Sequence, residues 1–134
     1  MTLPDMSSQV AVGALTLWMV ILAVKHVIAD FFLQTSWIAT GKDAKAGWAL
    51  PLLVHCAIHG ALALAILLVL APRLWFLAVV DFVVHLIIDR AKGFCVANFN
   101  VTQEQSHWFW WLIGIDQALH HLTGFGLAVV LAAN

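Results

Sequence analysis

The stretch DFVVHLIIDR (Asp81–Arg90) decides how this chain is read. It is apolar enough for a helix that dissolves in lipid, yet Asp81, His85 and Asp89 recur at every fourth position. On an α-helix that spacing sets all three on one face, about one turn of rise apart. An ionisable side chain at mid-membrane costs roughly 2.5–3.5 kcal/mol on insertion scales. The stripe must therefore face other protein groups or a wet cavity.

The rest of the chain fits that reading. It has 134 residues, 63% hydrophobic and 10% charged, where soluble domains are about 25% charged and 45–50% apolar. The composition reads as one integral-membrane domain, 1–134. A net charge of −1 supplies no bulk field for nucleic acid, so none is expected as a partner. Cys56 and Cys95 form neither a disulfide framework nor a redox pair. MTLPDMSSQ precedes the first apolar run without Lys or Arg, so that run reads as a retained span.

A span needs about 20 mostly apolar residues. The pattern predicts spans at about 10–33, 51–70, 73–91 and 103–132. Pro51 suits a first helical turn, Ala71-Pro72 reads as a tight hairpin, and Thr102-x-x-Gln105 reads as a capping box. The polar stretches 35–48 and 92–105 read as loops. Lys42, Lys45, Arg90 and Lys92 lie on the loop side and Arg73 on the other. The positive-inside rule then puts the loops in the cytoplasm. Trp37, Trp48, Trp108, Trp110 and Trp111 fit a cytoplasmic aromatic belt, and the sequon-like Asn100-Val101-Thr102 is chance. The expected fold class is all-α: an integral-membrane four-helix bundle, up-down-up-down, with both termini periplasmic.

Each expected span carries an i, i+4 pair of His or Asp: His26/Asp30, His55/His59, Asp81/His85/Asp89 and Asp116/His120. The alternation of the spans places them all in the cytoplasmic half. His and Asp together are metal-ligand chemistry, and bundles hold such sites on facing helices. A single tetrahedral zinc leaves several groups over, so one or two ions are expected, zinc first and iron as the alternative. The metal candidates are His26, Asp30, His55, His59, Asp81, His85, Asp89, Asp116 and His120.

Plainer readings compete at single positions. A lone His in a span is usually a packing residue. A surface ion pair with Arg90 also accounts for Asp89, and His107 reads as interfacial. Of His120 and His121, about 100° apart, one should face the site. Lys25 either snorkels or pairs with a carboxylate or an anionic substrate. Lys42, Asp43 and Lys45 read as a solvated loop, Cys56 as packing, and Gly114, Gly124 and Gly126 as close helix contacts.

The motifs H-x3-D-F-x-L-Q (26–34), His55, H-x3-D-x2-K (85–92) and D-Q-x-L-H (116–120) resemble one family of small bacterial inner-membrane proteins, catalogued as domain of unknown function 3307. The resemblance runs from the first span to the fourth. It marks His26, Asp30, Gln34, His55, His85, Asp89, Lys92, Asp116, Gln117 and His120, while Asp81 and His59 are less regular in the pattern. It implies a multi-pass protein of the bacterial inner (cytoplasmic) membrane and names no reaction.

The leading functional expectation is a metal-dependent hydrolase acting on a membrane lipid or lipid-linked substrate from the cytoplasmic side. A metal there acidifies water and polarises a carbonyl or phosphoryl oxygen. Asp30 or Asp116 would be the catalytic base, and Arg90 and Lys92 would hold an anionic headgroup. The alternatives are a di-iron lipid hydroxylase or oxidase, and a divalent-metal or proton transporter or sensor. A transporter this small requires at least a homodimer.

Overall fold

The computed structural model describes residue 4, residues 9–99, residue 101 and residues 107–134. The chain is all-α, and among the described residues it forms five helices: α1 Val12–Val27, α2 Ser36–Gly41, α3 Ala49–Leu70, α4 Leu77–Phe99 and α5 His107–Ala132. The four long helices close a ring in the order α1, α3, α4, α5, and α2 leans on α3.

The expected four-helix, up-down-up-down membrane scheme with periplasmic termini is thereby corrected to a five-helix bundle. The extra helix lies in the stretch expected to be a solvated loop. Thr35 caps it, its hydroxyl accepting from the Ile38 amide at 3.4 Å. Ile38 and Lys42 are both buried, so this segment is packed rather than solvated. Gly41 lies so close to Pro51 that a Cβ would sit 2.6 Å from its Cγ. Gly93 on α4 is just as tight: a Cβ there would meet the Lys42 carbonyl oxygen at 2.9 Å. Missing side chains at both positions let the α2 segment dock.

Two helical stretches, Val12–Phe32 and Ala49–Leu70, are long and apolar enough to cross a membrane, with mean hydropathies of 2.0 and 2.4. Ionisable groups lower the hydropathy of α4 and α5. The join between α3 and α4 is longer than a two-residue hairpin: Pro72–Leu74 make a 3-10 turn, and α4 starts at Leu77. Helix α4 then continues past the expected end at Ala91 to Phe99. The expected capping box and the sequon-like triplet include residues outside those described.

The buried stripe of each long helix changes character along its length. At one end Leu22, Ala63, Leu67, Leu77, Leu127 and Ala128 form an apolar plug. Toward the other end the same helices bury His26, His55, His59, Asp81, His85, Asp89, Asp116 and His120. The exterior of the long helices is largely apolar: Phe32 and Val69 are each 78% exposed, Ile87 on α4 is 62% and Leu122 on α5 is 64%. A polar interior inside an apolar exterior reverses the usual distribution of a water-soluble domain.

Candidate metal centre

Helix α1 ends in a π turn, Ile28–Phe32, closed by the Leu33 amide donating to the Ile28 carbonyl at 3.1 Å. Such turns re-aim side chains and recur at functional sites. This one holds Asp30, whose carboxylate faces three imidazoles. Oδ2 lies 3.1 Å from His26 Nε2, and Oδ1 lies 3.0 Å from His59 Nε2 and 3.6 Å from His55 Nε2. His26 Nε2 also lies 3.4 Å from the Gln117 side-chain oxygen.

Helices α4 and α5 repeat one local device. His85 Nδ1 lies 3.3 Å from the main-chain oxygen of Asp81, and His120 Nδ1 lies 2.8 Å from that of Asp116. A carbonyl oxygen only accepts, so Nδ1 carries the proton in both rings and, in the neutral ring, Nε2 keeps its lone pair. Fixing the far nitrogen in this way is how proteins orient a metal-ligating imidazole.

The rings converge. His59 and His85 have centroids 4.0 Å apart, and His85 and His120 are 4.2 Å apart. His26 lies 5.2 Å from His59 and 5.4 Å from His120. Three groups of side chains have ligand atoms close enough to hold a metal ion: His26/His59/His85, Asp30/His55/His59 and Asp89/Asp116/His120. The first two share His59, whereas the third shares nothing with either. The groups nonetheless adjoin, with His55 Nε2 3.4 Å from Asp89 Oδ2.

The unsatisfied atoms test whether a cation suits this place. His55 Nδ1, His59 Nδ1, His85 Nε2, His120 Nε2, Asp89 Oδ2 and Asp116 Oδ1 are buried without a hydrogen-bond partner among the described residues. Each such atom costs about 1–3 kcal/mol when left unmet. All six are imidazole nitrogens or carboxylate oxygens, the donor types that suit transition-metal ions.

Lysines neutralise the carboxylates around these rings. Lys25 Nζ lies 2.6 Å from Asp81 Oδ2, both buried, so of the two expected roles it takes the carboxylate-pairing one. Asp89 is buried and lies 3.0 Å from Lys42 Nζ, 3.5 Å from Lys92 Nζ and 3.4 Å from His55 Nε2. A surface ion pair with Arg90 therefore does not describe it. Arg90 instead stacks on Trp48, its guanidinium carbon 3.8 Å from the ring centroid. Lys92 sits among Asp89, Asp43 at 3.7 Å and Asp116 at 3.6 Å. Burial pushes the Asp43 carboxyl above its ordinary range, with Lys92 and Lys42 opposing the shift.

All nine expected ligands lie in this one cluster, with Asp81 at its edge, turned toward Lys25. Lys42 was missed: its Nζ contacts His55 Nε2 at 3.1 Å as well as Asp89. The available signal was Thr35 as a helix cap six residues before Gly41, which turns the supposed loop inward. His120 is buried, while the neighbouring His121 is exposed at the cluster's edge, 5.5 Å from His26.

The family model for "Protein of unknown function (DUF3307)" matches residues 17–132. The chain belongs to this family. The match covers α3, α4 and α5, α1 from Leu17 onward and every candidate ligand, so the whole cluster lies within the DUF3307 region. Comparisons with curated proteins and with solved structures gave no match.

Proposed function

We propose that this DUF3307 protein is a metal-dependent hydrolase of the bacterial inner membrane, multi-pass, acting on a lipid or lipid-linked substrate. The observation that carries the metal is the set of six buried imidazole and carboxylate atoms on α3, α4 and α5 that have no hydrogen-bond partner among the described residues. The observation that supports the membrane is the reversed distribution of polar and apolar side chains. Helices α4 and α5 bury Asp81, His85, Asp89, Asp116 and His120 and expose Val79, Ile87, Ile115 and Leu122, which suits lipid although their average hydropathy is modest.

Zinc is the ion proposed first, with iron as the alternative; three adjoining ligand groups offer donors for one or two ions. A bound ion would polarise a carbonyl or phosphoryl oxygen and acidify a water. Asp30 holds the His26 and His59 rings in place. The Asp116 carboxylate, whose Oδ1 has no hydrogen-bond partner and lies 3.7 Å from His120 Nδ1, would accept the proton. In the step, the water oxygen bonds to the carbonyl carbon or phosphorus. The bond to the leaving oxygen or nitrogen breaks, and the proton passes through Asp116 to the leaving atom.

The test is turnover of ester, amide and phosphoester amphiphiles by zinc-loaded protein in detergent micelles. Hydrolysis of one class, lost in His85→Ala, is expected. No hydrolysis of any class by zinc-loaded or iron-loaded protein would overturn the reading.

A further inference from the structure

A cavity of about 290 Å³ reaches the histidine cluster from the side of the bundle rather than from its end. Its mouth lies between α1 and α5, where Met19, Ala23, His121 and Phe125 are exposed. Its walls are apolar, with Leu22 the buried apolar residue on α1. Its floor is formed by His26, His85 and His120 and by the Lys25–Asp81 pair. His85 and His120 border that floor, with their Nε2 atoms buried behind it. Gly124 lines the cavity, and a Cβ there would meet nothing within 4 Å. The absent side chain keeps the passage open.

We infer that this side cavity is the substrate subsite, and that it takes the linkage region and first chain carbons of a single-chain amphiphile entering between α1 and α5. The inference rests on the hydrolase reading for the chemistry, but not for the binding. The volume lies at the low end of the roughly 300–1,000 Å³ typical of ligand sites, too small for the body of a two-chain lipid. The mixed lining fits an amphiphile: the polar linkage meets the imidazoles, and the chain lies along Leu22 and Phe125. The chain then leaves past Met19 and Phe125, which are 42% and 46% exposed, onto an apolar exterior. A water-soluble polar substrate would meet that exterior at the mouth.

The test uses the full-length, metal-loaded protein in phospholipid vesicles containing a lysophospholipid with a diazirine beside its acyl carbonyl. Photolabelling is expected at Leu22 and His120, which general contact with surrounding lipid does not reach because both are buried. Gly124→Phe should lose that label. Gly114→Phe and Gly126→Phe should keep it: both lie on the same helix with open space at Cβ, and neither lines the cavity. Labelling confined to exposed side chains, or undiminished in Gly124→Phe, would overturn the inference. Metal content measured on the same samples separates the readings. Label at Leu22 and His120 in protein that takes up no metal when offered it sinks the hydrolase but leaves the subsite standing.

Discussion

His85 on α4 and His120 on α5 face each other with centroids 4.2 Å apart, each held through Nδ1 by a carbonyl four residues earlier on its own helix. Each of those carbonyls belongs to an aspartate. The motif Asp-x3-His, written twice, thus makes two matched rings whose Nε2 atoms are buried and unpartnered.

His85 Nδ1 meets the Asp81 main-chain oxygen at 3.3 Å and its carboxylate Oδ1 at 3.5 Å, so deleting the Asp81 side chain removes only the longer contact. Asp81→Ala should therefore lower bound metal less than His85→Ala. Metal analysis of the two purified variants checks this, and equal losses would contradict the assigned role of the carbonyl.

The Lys25–Asp81 pair is buried on both sides. Removing one partner strands a charge, at a cost of about 3–5 kcal/mol, whereas replacing both with apolar groups is often neutral. Lys25→Met should lower the thermal midpoint in detergent sharply, and Lys25→Met with Asp81→Leu should recover most of the loss. A double variant as unstable as the single one would contradict this view of the pair.

At Gly93 an added methyl meets the Lys42 carbonyl oxygen, which is backbone and yields poorly. Gly93→Ala should cost about 1–3 kcal/mol, as overpacking does, and should loosen the segment that delivers Lys42 to Asp89. Thermal unfolding measures the first effect. Faster amide exchange across 36–42 measures the second, and unchanged exchange would count against it.

How far the sequence carried varied with the signal. Four-residue spacing put His55 with His59 and Asp81 with His85 on shared faces, because helical periodicity is local. Asp89 was obscured by its neighbour Arg90, since no local rule says that Arg90 stacks on Trp48 and leaves Asp89 to Lys42. Helix α2 was hidden by Gly41, Lys42 and Gly47, which read as loop residues. Gly41 is there for a close approach to Pro51, and only Gly47 has the positive φ, 73°, that demands glycine. The π turn at Asp30 left no periodic trace.

The apolar exterior should keep the protein in the membrane fraction after an alkaline wash, with detergent needed to release it. Recovery in the wash supernatant would contradict the membrane placement.

Metal analysis of the full-length protein, purified without chelator and then offered zinc or iron, addresses the centre most directly. At least one equivalent of transition metal per chain is expected, held by the groups around His59 and His120, with most of it lost in His55→Ala and in Asp116→Ala. Protein that carries no metal and takes up neither zinc nor iron on titration would contradict the metal centre.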